Sequence, residues 1–347
     1  MKAITVATFF LLAICGIAHA DDAIPEQELM RAAMGARSLT DVQLNQLEEG
    51  LKATPDDFLA RATLLGYYLF EPSHTEHVAQ YTAHILWLVR NHPESEFAGT
   101  PFAQIDNILN ANGYAEEKTL WLETIKSHPD NAAILGNAAN LFMRGDRMLA
   151  EELLKKATIA DPLSPKWHDN LGNMYLRESD TESSAASQAL AEFEAAESLD
   201  KAGVNQYYRL STLAKAAYAA GNMDKAARYA NQLLAAAPSY PRDWNYGNAI
   251  HHGNNILGRI ALKNGDAELA RAYLLKAGQT PGSPSLNSFG PNMSLARELI
   301  VAGDTETALQ YFELCRKFWK MGGQQLDGWE VAVRNGKTPE FGANLNY

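Results

Sequence analysis

The side chains that could do chemistry in this 347-residue chain are nine histidines, two cysteines and an excess of carboxylates. His74, His77, His84 and His92 fall between Ser73 and Pro93, and His74 and His77 are spaced to share one helical face. A zinc site would need more: no cysteine lies near, and no His-Glu-x-x-His pattern occurs, so no metal is expected. His251 and His252 stand in the run WNYGNAIHHGNN, Trp244 to Asn255, where a hydrolase of this sequence would have to keep its base. No Gly-x-Ser-x-Gly elbow, phosphate loop or dinucleotide fingerprint accompanies them. Cys315 belongs to the pattern Leu309, Phe312, Cys315, Phe318, the spacing of a buried helical face, and reads as a structural thiol. No catalytic residue and no cofactor are therefore assigned, and the residue pattern favours a binding protein over an enzyme.

What must position these side chains is a recurring turn. Gly145-Asp146, Gly221-Asn222, Gly265-Asp266 and Gly303-Asp304 are followed at a constant distance by Ala150, Ala226, Ala270 and Ala308. Glycine ends one helix in a left-handed conformation and Asp or Asn caps the next, so each dipeptide joins two antiparallel helices. A small residue precedes each turn at a fixed distance, in Asn137-Ala138, Leu213-Ala214, Leu257-Gly258 and Leu295-Ala296, and lets the paired helices cross closely. Pro129, Pro162 and Pro238 stop the second helix of a pair.

This pattern resembles the tetratricopeptide repeat, a helix-turn-helix unit of about 34 residues. The segment NLGNMY, Asn170 to Tyr175, continued by Ala189, Phe193 and Ala196, is similar to the repeat apart from an insertion. The resemblance covers most of the chain and is strongest from Asn131 to Phe318. It implies an all-α fold, a right-handed superhelical solenoid of about seven hairpins, over 57–93, 101–129, 131–162, 164–200, 203–238, 241–279 and 291–319. Two helices, about 26–36 and 40–53, precede them, the second opened by Thr40 and Gln43 spaced as a capping box. A last helix, about Gln325 to Arg334, presents Leu326, Trp329 and Val333 and caps the array within the segment 320–347. In this family the first helices line a concave groove, and the residue after the Leu-Gly pair commonly faces a bound peptide. That place falls on Ala139, Asn173, Lys215, Arg259 and Arg297, with Lys166 nearby. Cations at repeat spacing suit a carboxylate-bearing peptide or protein; the alternative is that they pair with acids across the groove.

Three segments depart from the repeat. Glu178 to Ser187 is acidic and reads as a solvated loop. The first helix of the sixth hairpin is expected to begin at Pro241 and to run about ten residues longer than its siblings, although Gly247 and Gly253 each cost about 1 kcal/mol in a helix. The loop Thr280 to Asn292 is long and lies at the same edge of the array. Either Pro284, Phe289 and Pro291 cover Trp244 and Tyr246 as a structural plug, or the two segments form a rim pocket with Trp244, His251, His252, Asn255 and Asn287.

The N-terminus sets the compartment. Lys2, an apolar run to Ile17 and Ala18-His19-Ala20 form an export signal over 1–20, cleaved after Ala20; lipidation at Cys15 is the weaker alternative, because Ile14 stands where a small residue is preferred. Removing it leaves 29 basic residues against 41 acidic ones, a net charge of −12 that repels nucleic acid and anionic lipid. The expectation is a periplasmic or secreted scaffold, with helices at 21–56 and repeats at 57–319, no integral membrane segment after cleavage and no nucleic-acid partner. A hydrolase or small-ligand protein using the Trp244 to Asn292 region, and an accessory subunit of an envelope assembly complex, are the alternatives.

Overall fold

The structure, a computed structural model, describes residues 24–71, 76–179 and 184–345. The expected export signal with Cys15, His74 and the centre of the expected acidic loop after Glu178 lie outside the described residues. The described residues hold helices and turns and no strand, and the chain divides into two compact units between Thr124 and Ile125.

The first unit contains α1 (Glu26–Gly35), α2 (Asp41–Ala53), α3 (Phe58–Phe70), α4 (Val78–Asn91) and most of α5 (Ala111–Ser127). Thr40 opens α2 as expected: its hydroxyl accepts from the Gln43 N–H, and the Gln43 side chain accepts from the Thr40 N–H at 3.0 Å. Thr40→Ala should therefore lower stability by about 1 kcal/mol in chemical denaturation, because the Gln43 N–H at the helix start loses its acceptor. Further along, the Arg61 guanidinium donates to His84 Nδ1 at 2.9 Å, and His84 Nε2 faces Glu48 at 3.0 Å. The Tyr68 hydroxyl donates to the same Glu48. Burial holds the His84 ring below its ordinary pKa, and the ring bridges the Arg61 guanidinium and the Glu48 carboxylate.

The expected hairpin over 101–129 is only half a hairpin. Its first helix is replaced by short 3-10 turns at Glu96–Gly99 and Pro101–Ala103, then by irregular chain up to α5. Side chains outcompete helix formation here. Asp106 accepts the N–H groups of Ile108 and Leu109 at 2.8 and 3.0 Å, and Asn110 accepts that of Gly113 at 3.0 Å. From α5, the carboxyl of Glu117 accepts the Ile105 N–H at 2.9 Å and the Trp121 indole at 3.4 Å. Glu117 is fully buried, and burial pushes its pKa up to about 8 against the pull of those two donors.

The second unit is a helical-repeat solenoid. Its hairpins are α6 (Ala132–Phe142) with α7 (Arg147–Ala160), α8 (Pro165–Glu178) with α9 (Ala185–Leu199), and α10 (Gly203–Ala219) with α11 (Met223–Ala236). α12 (Tyr246–Lys263) with α13 (Ala267–Gly278) follows, then the short α14 (Pro284–Phe289), the pair α15 (Ser294–Val301) and α16 (Thr305–Cys315), and the cap α17 (Gly323–Arg334). At three hairpin turns the glycine is left-handed, with φ of +76° at Gly221, +84° at Gly265 and +92° at Gly303. The next side chain then caps the second helix, as Asn222 does for Lys225 N–H at 3.1 Å and Asp266 for Leu269 N–H at 3.0 Å. Ala150, Ala226, Ala270 and Ala308 are all fully buried, which is the close approach that their spacing requires. α12 starts at Tyr246 rather than Pro241, and its 18 residues barely exceed the 17 of α10; what sets it apart is composition, not length.

Ion pairs tie one hairpin to the next. Arg209 is almost wholly buried and forks onto Asp169 at 2.8 and 2.9 Å, with the Asp200 carbonyl at 2.9 Å. A pair this well satisfied registers α10 against α8 rather than adding much net stability. At the far end Leu326, Trp329 and Val333 of α17 are buried, and Cys315 is fully buried with its thiol pKa pushed up by desolvation. The chain then returns across the cap: Phe341 packs edge-on against Trp329 at 4.9 Å, and the Trp329 indole donates to the Glu340 carbonyl at 3.2 Å.

Candidate functional site

In the second unit, the first helices of three successive hairpins line a pocket of about 400 Å³. α8 contributes Asn173, Leu176 and Arg177; α10 contributes Thr212, Lys215 and Tyr218; α12 contributes His252, Asn255, Ile256 and Arg259. On each helix these residues recur three or four positions apart, the spacing that puts side chains on one face. Asn292, from the loop after α14, and Leu345, from the returning C-terminal segment, complete the wall.

Lys215 is half-buried within this wall, and burial lowers its pKa to about 8. His252 stands close by, its Nδ1 2.9 Å from the Ser211 hydroxyl, and desolvation together with the Lys215 charge drives its pKa well below the ordinary value. The ring is thus neutral at physiological pH. Arg259 donates to Glu298 at 2.8 Å through Nε, and its guanidinium lies 4.3 Å over the Tyr218 ring. Two of the groove cations thus differ in environment: Arg259 pairs with a carboxylate from α15 over an aromatic ring, and Lys215 is desolvated by the pocket wall.

The back of the pocket is held by a polar ladder between α12 and the 280–292 loop. His251 is fully buried; its Nδ1 faces the Ala277 carbonyl at 3.3 Å and its Nε2 accepts the Asn292 N–H at 3.0 Å. The tautomer is set by these partners, with the proton on Nδ1, and burial lowers the ring pKa to about 4. The Asn292 carbonyl accepts from Asn255 at 3.2 Å and from the Tyr311 hydroxyl at 3.0 Å. Thr280 donates to the Gly247 carbonyl and Ser283 to the Asn248 side chain, both at 2.7 Å. Gly247 permits this approach, since a Cβ there would land inside the Gly282 carbonyl oxygen. Gly247, Asn248 and Asn255 of α12 are thereby accounted for as rungs of the ladder.

The two groups of residues anticipated from sequence are redistributed. Asn173, Lys215 and Arg259 of the groove set line one pocket together with His252 and Asn255 of the rim set. Lys166 stands at the start of α8, 5.0 Å over the Trp167 ring, and Arg297 is exposed on α15; neither lines the pocket. His251 is a buried strut, Asn287 is exposed on α14, and Trp244 is 55% exposed. The plug differs from its expected form as well. Phe289 is 75% exposed and does not cover Trp244; polar contacts rather than apolar packing join the two segments. Thr212, Tyr218 and Leu345 were not singled out from sequence. The first two follow from the helical spacing around Lys215, and Leu345 carries no local signal. In the first unit His77 pairs with Glu71 at 3.0 Å, His84 with Glu48, and His92 stacks on Phe58 at 4.5 Å. These three histidines have separate partners, and no metal-ligand group occurs among the described residues.

These features define a helical-repeat protein with a pocket between successive first helices. Residues 211–284, which span α10 to α13 and hold Lys215, His252, Asn255 and Arg259, match the tetratricopeptide repeat family model. Over this stretch the chain carries tetratricopeptide repeats. It is also similar to a solved tetratricopeptide repeat protein from Parabacteroides merdae ATCC 43184, at 15% identity over 89% of this chain and 100% of that one, with a TM-score of 0.43. No curated protein matches the chain. Among the described residues no helix is long and apolar enough to cross a membrane.

Proposed function

We propose that this chain is an exported scaffold that holds a peptide or protein partner by an acidic group in the pocket between α8, α10 and α12. The observation that carries this reading is Lys215, an ammonium drawn into a pocket where burial lowers its pKa to about 8. Desolvating a charge is unfavourable, and an incoming carboxylate would offset that cost through a charge-assisted hydrogen bond. Thr212, Asn173 and Asn255 add neutral hydrogen-bonding groups, and Leu176, Ile256 and Leu345 add apolar wall. Tetratricopeptide repeats serve generally as protein-interaction scaffolds, in keeping with this role. Export rests on the first twenty residues, and a place in an envelope assembly would use the same pocket.

The experiment is selection of displayed peptides with free C-termini against the full chain. Sequences with acidic ends should be enriched, and Lys215→Met should weaken their binding by more than about tenfold. The ligand stabilises the charged amine, so affinity should fall as pH rises through and above about 8. Enrichment indifferent to Lys215→Met would remove the pocket from the account.

The hydrolase reading has one observation in its favour, the contact between Ser211 and His252. Ser211, however, is buried and does not line the pocket, and both ring nitrogens of His251 face backbone groups. A substrate in the pocket would not meet the hydroxyl, and binding remains the reading the geometry supports.

A further inference from the structure

One end of the second unit carries aromatic side chains that the pocket does not use. Tyr207 and Tyr208 lie on the first turns of α10, Tyr240 and Trp244 on the connection from α11 to α12, and Tyr246 at the start of α12. Tyr207 is buried and stacks on Tyr240 at 4.6 Å and 14°. Tyr208 leans against Trp244 at 5.4 Å. A hydrogen-bond chain fixes the outer rings: the Trp244 indole donates to the Tyr208 hydroxyl at 3.1 Å, and that hydroxyl donates to Asp243 at 2.7 Å.

Trp244 is more than half exposed, whereas Trp121, Trp167, Trp319 and Trp329 are buried. It is nonetheless oriented, and its single polar group is already used within the protein. What it offers a partner is a flat π surface beside a carboxylate and phenolic hydroxyls. A second feature lies at the same place. The Tyr207 hydroxyl is buried and makes no hydrogen bond among the described residues, and its electrostatic surroundings are Asp243, Tyr208, Tyr246 and Tyr240.

The chemistry of a partner follows from this arrangement. Tyr208 and Trp244 pack on each other too closely to enclose a cation between them, as an aromatic cage would. Asp243 and the acid excess of the whole chain disfavour an anion. A ring with an apolar C–H face and neutral hydroxyls around its edge meets both conditions, since it stacks on the indole and its hydroxyls can donate to the Asp243 carboxylate. We propose that the Trp244 face is a stacking platform for a neutral glycan, distinct from the Lys215 pocket. A scaffold with both sites would hold an acidic protein partner and a polysaccharide at once.

The test is ligand-observed saturation-transfer NMR on the full chain with three neutral probes, chitohexaose, cellohexaose and maltohexaose. At least one should bind. Trp244→Ala should weaken it by about tenfold, Trp244→Phe should retain part of the affinity, and Lys215→Met should leave it unchanged. The side chain is exposed, so these variants should keep the helical circular dichroism of the parent. Three outcomes overturn the proposal: no binding of any probe, binding indifferent to Trp244→Ala, or binding lost in Lys215→Met, which would place the sugar in the pocket. Capture of a hexaproline peptide through Trp244 in place of all three saccharides would overturn it too.

Discussion

Gly247→Ala is expected to destabilise the second unit, although the same change in an ordinary helix would stabilise it by about 1 kcal/mol. The sign is set by the Gly282 carbonyl, which occupies the place the new methyl group needs. Backbone cannot swing aside as a long side chain can, so α12 and the segment from Thr280 to Ser283 must separate. That strains the Thr280 to Gly247 and Ser283 to Asn248 hydrogen bonds and disturbs the ladder through His251 to Asn292. Overpacking of this kind costs about 2 to 3 kcal/mol. For a unit of this size that corresponds to a melting temperature lower by about 5 to 10 °C. Scanning calorimetry of parent and variant reads the difference, and an unchanged or higher melting temperature would show that the ladder is not structural. Because Asn292 lines the pocket, the variant should also lose affinity for the selected peptides.

The second large effect belongs to Glu117 and pH. Its folded pKa is raised to about 8 by burial, from an ordinary value of 4.5. Between those values the folded chain keeps a proton that the unfolded chain has released, so stability is greatest below about 4.5 and falls as pH rises through the window. The slope contributed by one such group is about 1.4 kcal/mol per pH unit. Urea denaturation of the first unit at pH 5, 6.5 and 8 should show the decline. Glu117→Gln keeps the shape and an acceptor for the Ile105 N–H while removing the titration. It should flatten the curve and be the more stable protein at pH 8. A parent curve already flat over that range would mean that Glu117 ionises freely in the fold.

The hairpins of the second unit were legible because their turns are local chemistry: a left-handed glycine, a capping side chain and a small residue where helices cross. Even there Gly145 makes its turn without the left-handed conformation that its three counterparts adopt. The hairpin expected over 101–129 lacks its first helix because Asp106 and Asn110 draw backbone N–H groups into turns and the buried Glu117 holds Ile105, which repeat spacing alone does not record. Lys215 and Arg259 could be named from their repeat positions. Their unequal states could not, since the Glu298 partner of Arg259 lies on another hairpin and the desolvation of Lys215 is a property of the assembled wall. The ladder was half visible, as a helix too rich in glycine and asparagine to stand alone. Leu345 was invisible, because nothing in its own sequence tells where the C-terminal segment returns.

The central claim is that the pocket binds through Lys215, and Lys215→Met tests it on two readouts at once. Methionine keeps much of the side-chain volume and removes a desolvated charge, so the variant should melt at the same or a higher temperature than the parent. Calorimetric titration with the best selected acidic peptide should at the same time show affinity reduced more than about tenfold. A stable variant that still binds the peptide as the parent does would contradict the account.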